Sequence, residues 1–176
     1  MPKNEVSGLE LVGVLSDSHD NIRKIDEAIA FLKEKGIDII IHAGDIIAPF
    51  AFKKFKGFKV YAVYGNNDGE KLLLKRVAVD LGFVLSEQPL IADINGYHVA
   101  VIHGVNTAAA TRSIAYSLAR SGDFDVVVYG HLHETEVRRV GDTLVLNPGE
   151  LCGYLTGKAT LALVDLEERK AEIELI

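Results

Sequence analysis

The sequence predicts an α/β fold in which two packed sheets are flanked by helices. The chain has 176 residues, of which 48% are apolar and 25% charged, so it can bury a core as one domain over residues 1–176. Short runs rich in Val, Ile and Tyr recur between Gly, Asn, Asp and Pro, as is typical of strands. Helical patterns separate several of these runs and then disappear in the last third of the chain.

The predicted strands fall into two groups. Strands of the first group lie where strands and helices alternate along the chain, or shortly after that part. Strands of the second group lie near the end of the chain and are predicted to be antiparallel. The first group covers residues 9–15, 38–41, 58–64, 89–94, 97–102 and 125–129, and the second covers 137–140, 143–146, 160–165 and 171–175.

Helices are predicted where apolar residues repeat at helical spacing. Asp20 is the predicted N-cap of the first helix, and Gly36 closes it. Its apolar positions are Ile22, Ile25, Ile29 and Leu32. Further helices are predicted over residues 70–81 and 107–120, with a shorter one over 49–55.

Composition excludes several classes of function. The net charge of −6 provides no basic surface for duplex nucleic acid or for an anionic membrane. Cys152 is the single cysteine, so neither an intramolecular disulfide nor a thiolate metal cluster is expected. The N-terminus lacks the apolar segment of a secretory signal, and no apolar run approaches the roughly 18 residues of a membrane span. We therefore expect a cytoplasmic protein, with homo-oligomerisation left open.

Polar residues follow the apolar runs at the points where strands should end. In open α/β sheets the carboxyl ends of the strands form the ligand-binding edge. Asp, Asn and His from several strands are therefore expected to converge there. The clusters are Asp17-Ser18-His19, Gly44-Asp45, Gly65-Asn66-Asn67-Asp68, His103-Gly104, Gly130-His131-Leu132-His133 and Asn147-Pro148-Gly149-Glu150.

This residue set indicates a metal site. Carboxylate oxygen, amide oxygen and imidazole nitrogen suit Mn²⁺, Fe, Zn²⁺, Ni²⁺ or Mg²⁺. Asp45 is the candidate to bridge two ions through its two oxygens, and Gly44 and Gly130 allow the backbone to turn sharply beside them. Two ions about 3.5–4 Å apart can clamp the attacking and leaving oxygens of a phosphoryl transfer.

Each cluster taken alone has a simpler explanation as a turn or a helix cap. Gly130-His131-Leu132-His133 is the most specific, and the order of all the clusters carries the argument. Outside them, His42 and His98 are predicted to be structural, and Cys152 is predicted to be a small packing residue. Arg138 and Arg139 are predicted to be solvated.

The ordered motifs Asp-x-His, Gly-Asn-x-Asp and Gly-His-x-His, with Gly-Asp and His-Gly between them, resemble those of the calcineurin-like metallophosphoesterase superfamily. The chain is similar to its small prokaryotic phosphodiesterases, and also to the retromer subunit of the same size and fold. The resemblance implies a four-layer α/β/β/α sandwich, a small phosphoester substrate and two divalent ions, Mn²⁺ first among them. It implies that a hydroxide bridging the ions attacks phosphorus. The implied ligands are Asp17, His19, Asp45 and His133 for one ion, and Asp45, Asn66, His103 and His131 for the other.

The chain departs from the family pattern at two positions. Asn67 stands where many members have a His that assists the leaving group, and a neutral amide cannot act as a general acid. Asn67 and Asp68 are the candidate catalytic residues. Glu150 stands where a Ser is frequent, and an acid there is expected to disfavour highly anionic monoesters. A phosphomonoesterase or nucleotidase, and a non-catalytic interaction scaffold, are the alternatives to a phosphodiesterase.

Overall fold

In the computed structural model, which describes residues 11–176, the first of two sheets has six strands. Its strand order is β11-β10-β1-β2-β3-β4, and β1 to β4 run parallel to one another. The two remaining strands add antiparallel pairings, β10 to β1 and β11 to β10. The strands are β1 Leu11–Leu15, β2 Ile39–His42, β3 Lys59–Val63, β4 Val84–Ser86, β10 Thr160–Asp165 and β11 Lys170–Leu175.

The second sheet has five strands in the order β5-β6-β7-β9-β8. Its centre is parallel, because β6 pairs with β7 and β7 with β9 in the same direction. Both edge strands are antiparallel to their neighbours. The strands are β5 Leu90–Ile94, β6 Tyr97–Ile102, β7 Val126–Tyr129, β8 Thr135–Val140 and β9 Thr143–Pro148.

The helices cover the outer faces of the two sheets. Helices α1 (Ile22–Glu34), α2 (Pro49–Lys53) and α3 (Lys71–Leu81) share a buried cluster with the first sheet, and α4 (Ala108–Arg120) packs on the second. Side chains alternate along each strand, so β1 directs Val12 and Val14 at the other sheet. Between the sheets lies a third apolar cluster, rich in Val, Ile and Leu. The predicted four-layer α/β/β/α order is confirmed.

The boundaries differ from prediction in a few places. Asn21, not Asp20, caps α1, because its side chain accepts the Lys24 N–H at 3.3 Å, while Asp20 accepts the Ala48 N–H at 2.9 Å. The prediction missed β4, whose three residues are too few to show a period. Residues 9 and 10 of the first predicted strand lie outside the described residues.

The topology gathers the parallel strands of both sheets into one site-bearing edge. The candidate residues follow the carboxyl ends of β1, β2, β3, β6 and β7. Among residues 11–176, no helix is both long enough and apolar enough to cross a membrane.

Candidate metal centre

Asp17 lies close after β1, and hydrogen bonds to one of its carboxylate oxygens fix the side chain while the other oxygen faces the site. Its Oδ2 accepts hydrogen bonds from Ser16 Oγ at 2.5 Å and from the His131 N–H at 3.0 Å. Its Oδ1 faces His133 Nε2 at 3.3 Å and His19 Nε2 at 3.8 Å. Asp17 Oδ1 and His19 Nε2 are buried and have no hydrogen-bond partner within the described chain. A bound cation would satisfy both of these buried ligand atoms, which otherwise have no partner.

Asp45 lies at the centre of the cluster, with its two oxygens directed to opposite sides. Oδ2 is 3.4 Å from His19 Nε2, and Oδ1 is 3.5 Å from His103 Nε2. The Asp45 side chain is almost fully buried, so the carboxylate stands in a site of low polarisability where opposite charge is strongly favoured. Asp45 therefore links two groups of donor atoms.

His103 forms the second group together with Asn66. Its Nδ1 lies 2.8 Å from the carbonyl oxygen of Ala43, which can only accept, so Nδ1 is the donor. This bond turns Nε2 toward the site, 2.9 Å from Asn66 Oδ1. Asp17, Asp45 and His103 also offer ligand atoms within 4.8 Å of one another.

His131 stands beside His103, with ring centroids 5.1 Å apart. Its Nε2 is 3.4 Å from the carbonyl oxygen of Asn106, and its main-chain N–H donates a hydrogen bond to Asp17 Oδ2. The structure therefore brings His131 to the rim of the cluster.

His133 joins the first group from the opposite side. Its ring lies 5.4 Å from that of His19, and its Nδ1 is 2.6 Å from Glu150 Oε2. Asp17, His19 and His133 present ligand atoms within 4.8 Å of one another, which is compatible with one ion.

Left-handed backbone recurs among the same residues. A positive φ is uncommon for a residue with a side chain and collects at functional sites. Asp17, His19, Asp45, His131 and His133 all have φ between 41° and 69°. The left-handed conformation lets the backbone turn sharply after each strand, so that the side chain at the turn is directed into the cluster.

Glycine is required where two of these turns approach one another. A Cβ at Gly65 would lie 2.1 Å from Asp45 Oδ1, and one at Gly130 would lie 2.1 Å from Ser16 Oγ. The lack of a side chain at Gly130 lets the turns after β1 and β7 approach this closely. Gly65 is a further position of this kind that the sequence argument did not single out.

Asn67 and Asp68 both contact Asp45. The Asn67 side chain donates from Nδ2 to Asp45 Oδ2 at 2.7 Å. Asp68 is buried, and its carboxylate accepts the main-chain N–H groups of Asp45, Gly65 and Ile47. Asp68 thereby ties the turn after β2 to the turn after β3, and its contacts place Asp45. A direct catalytic role for either residue stays a prediction.

The electrostatics of the cluster favour positive charge. Burial disfavours the ionised form of Asp17, but the nearby imidazoles of His133 and His19 outweigh it, so the pKa of Asp17 is well below its usual range. Burial likewise opposes protonation of His133, yet Asp17, Cys152 and Glu150 raise its pKa to about 11. The neighbouring Asp17 carboxylate raises the pKa of His19 as well. A site that holds protons this strongly also attracts divalent cations.

The residues predicted to be structural lie where expected. His42 is fully buried, with Nδ1 accepting the Gly44 N–H and Nε2 3.0 Å from Ser18 Oγ, and burial lowers its pKa to about 4. His98 is exposed on β6, and Arg138 and Arg139 are exposed on β8. Cys152 is buried, and burial raises the pKa of its thiol.

Glu150 lies behind His133. Its carboxylate is fully buried, with Oε2 2.6 Å from His133 Nδ1. The effect of this acid on highly anionic monoesters stays a prediction. The sequence signal was present, because an acid replaced the frequent Ser, but the direction of the side chain depends on the loop that follows.

The shared edge of the two packed sheets can hold metal ions, and a family match gives the class of protein, a metal-dependent phosphoester hydrolase. Residues 11–169 match the calcineurin-like phosphoesterase superfamily domain. The chain therefore belongs to the calcineurin-like phosphoesterase superfamily.

Relatives and solved structures agree with this membership. A phosphodiesterase of Methanocaldococcus jannaschii is 36% identical over 161 residues, which cover 90% of this chain and 95% of the relative. A solved structure described as a novel archaeal phosphodiesterase superposes with a TM-score of 0.85 at 34% identity, covering 94% of this chain and 99% of that one. Vps29 of Chaetomium thermophilum, at 17% identity and a TM-score of 0.66 over 94% of this chain and 96% of its own, shares the fold.

Proposed function

We propose that the protein is a phosphodiesterase that uses two divalent metal ions, with Mn²⁺ the best candidate and Ni²⁺, Zn²⁺, Fe or Mg²⁺ the alternatives. One ion takes Asp17, His19, Asp45 and His133, and the other takes Asp45, Asn66, His103 and His131. The observation that carries the proposal is the position of Asp45, whose two oxygens face His19 and His103 at 3.4 and 3.5 Å. Preference for diesters is supported by the relative from Methanocaldococcus jannaschii, which is named a phosphodiesterase.

The protein's own residues preorganise the donors. Ser16 and the His131 N–H hold one oxygen of Asp17, so the other is aimed at the first group. The Ala43 carbonyl keeps the proton of His103 on Nδ1 and leaves Nε2 free to bind. When bound, the two ions would acidify a water for attack on phosphorus and neutralise charge on the phosphoryl oxygens.

Asn67 is exposed at the mouth of the site, where it can donate a hydrogen bond to the ester but cannot supply a proton. The enzyme should therefore act best on diesters whose alcohols leave readily. A cytoplasmic location remains a prediction from composition, and homo-oligomerisation is left open.

The test is metal-dependent turnover of a bis-nitrophenyl diester and the matching nitrophenyl monoester. Protein stripped by a chelator should be inactive, and Mn²⁺ or Ni²⁺ should restore hydrolysis of the diester. Equal activity in excess chelator would overturn the metal assignment. Faster turnover of the monoester would overturn the preference for diesters, and binding of metal without turnover of either would identify a scaffold.

A further inference from the structure

Glu150 is a buried carboxylate in direct contact with a residue of the metal centre. Its side chain is fully buried, and its Oε2 lies 2.6 Å from Nδ1 of His133. The other face of the His133 ring presents Nε2 to Asp17 Oδ1 at 3.3 Å. Glu150 is therefore on the far side of the imidazole from the donor cluster.

The loop after Glu150 surrounds the carboxylate with donors. Oε1 accepts the main-chain N–H groups of Leu155 at 3.0 Å and Thr156 at 2.6 Å, and the Thr156 hydroxyl at 2.8 Å. The Cys152 thiol lies 3.2 Å from Oε2. These hydrogen bonds hold the Glu150 carboxylate in one orientation.

We propose that Glu150 is a positioning residue, whose carboxylate keeps the proton of His133 on Nδ1 and directs the Nε2 lone pair at the metal ion. The inference rests on the proposed metal site. A carboxylate behind a metal-bound histidine fixes the tautomer, orients the ring and increases its basicity. The donors of residues 152–156 hold Glu150 away from the cluster, so that it supports a ligand and does not become one.

A different assignment, in which Glu150 binds an ion itself, fits the distances less well. His133, Glu150 and Cys152 do offer ligand atoms within 4.8 Å of one another. However, two atoms bound to one ion at about 2.0–2.2 Å each usually lie about 3 Å or more apart. The 2.6 Å between His133 Nδ1 and Glu150 Oε2 is that of a charge-assisted hydrogen bond.

The experiment measures Mn²⁺ binding to the whole chain by titration calorimetry, with Glu150→Gln and Glu150→Ser as variants. Partners of this kind typically contribute roughly 10–100-fold to metal affinity. We expect a loss of that size for one ion and little change for the other. Glu134→Gln is the matched control, because it removes an exposed negative charge next to His133, and its affinities should stay within about threefold of wild type.

A second readout separates positioning from general support of the fold. In Zn²⁺-loaded, ¹⁵N-labelled protein, His133 should give a hydrogen-bonded Nδ1–H resonance that disappears in Glu150→Ser. If both Glu150 variants fail to fold, Thr156→Val removes one donor to the carboxylate and should weaken the same ion by a smaller factor.

The outcomes separate failure of the role of Glu150 from failure of the proposed metal site on which it rests. A wild-type chain that binds no ion overturns both. Two ions in wild type, with unchanged affinities and an unchanged His133 resonance in the folded variants, overturn the role of Glu150 alone. Equal weakening of both ions also overturns it, because Glu150 contacts a ligand of only one.

Discussion

Asn67 donates a hydrogen bond to each oxygen of the Asp45 carboxylate. Its side-chain Nδ2 donates to Oδ2 at 2.7 Å, and its main-chain N–H donates to Oδ1 at 2.9 Å. The same two oxygens face His19 and His103 on opposite sides. Asn67, one of the two residues that depart from the family pattern, is therefore a structural partner of the carboxylate on which the proposed binuclear site depends. Changes at position 67 should affect both the leaving group and the placement of Asp45.

Asn67→His should increase hydrolysis of alkyl or nucleoside diesters, whose leaving groups need a proton. General acid catalysis is typically worth roughly 10²–10⁴-fold, and we expect a gain at the lower end of that range, because the contact with Asp45 is lost. Nitrophenyl esters should change much less. The measurement is log rate against leaving-group pKa, and the variant should have the shallower slope. Asn67→Ala is the control, since it loses the same side-chain contact and gains no acid. Equal slopes for Asn67→His and wild type would show that residue 67 does not act on the leaving group.

Asp45→Asn should abolish turnover almost completely, because it removes a charge that both ions share. We expect a loss larger than the roughly 10–100-fold typical of a residue that supports a single ligand. His42→Gln, in the buried strand just before, should retain turnover per folded molecule. Metal content and initial rates at matched folded fraction provide the test. Similar rates for the two variants would contradict the assignment of Asp45 as the bridge.

Metal binding should raise the melting temperature of the stripped protein. At 100 times the dissociation constant, an ion that binds only the folded state adds about 2.7 kcal/mol. For a domain of this size that corresponds to roughly 5–10 °C for each ion. Scanning calorimetry with and without Mn²⁺ measures the shift, and Asp17→Asn should reduce it. A metal-induced shift in Asp17→Asn as large as that of wild type would show that Asp17 is not a ligand.

Metal binding should also release protons near neutral pH. The pKa of His133 is raised to about 11, so its ring holds a proton at pH 7 that an ion must displace, and neighbouring Asp17 raises the pKa of His19 as well. Affinity should therefore fall as the pH is lowered, by about tenfold per pH unit for each proton released. Titration calorimetry in buffers of different ionisation enthalpy counts the protons. His98→Gln should release the same number, and zero release from wild type would contradict the assignment.

Acid should destabilise the metal-free protein through His42. Its folded-state pKa is lowered to about 4, whereas the unfolded chain titrates near 6.5, so the unfolded state binds the proton first as the pH falls. Stability is therefore lost as the pH falls from 6.5 toward 4. Between pH 7 and pH 5 we expect about 2 kcal/mol of loss from this residue.

The comparison of wild type with His42→Gln in urea isolates that contribution, because His19 and His133 titrate alike in both proteins. Wild type should lose about 2 kcal/mol more than the variant between pH 7 and pH 5. His98→Gln, which changes an exposed side chain, should retain the wild-type dependence. Parallel curves for wild type and His42→Gln would show that His42 does not stay neutral in the folded state.

The layers of the fold and the membership of the polar cluster were determined by the local sequence. Strand and helix patterns have periods of their own, and parallel strands carry the residues that follow them to one edge whatever their exact lengths. Asp17, Asp45 and His103 could therefore be placed together before any contact was known. Boundaries were less certain where a polar residue could cap a helix at two adjacent positions, as at Asp20 and Asn21.

Only the tertiary structure decided the partners of those residues. The contact between Glu150 and His133 spans 17 residues, and that between Asn67 and Asp45 spans 22, across separate turns of the chain. Such contacts depend on side-chain direction and on left-handed backbone at Asp45 and His133, which local spacing does not specify. For this reason the sequence indicated only that an acid stands at position 150, whereas the 152–156 loop directs its carboxylate inward, onto the back of a proposed metal ligand.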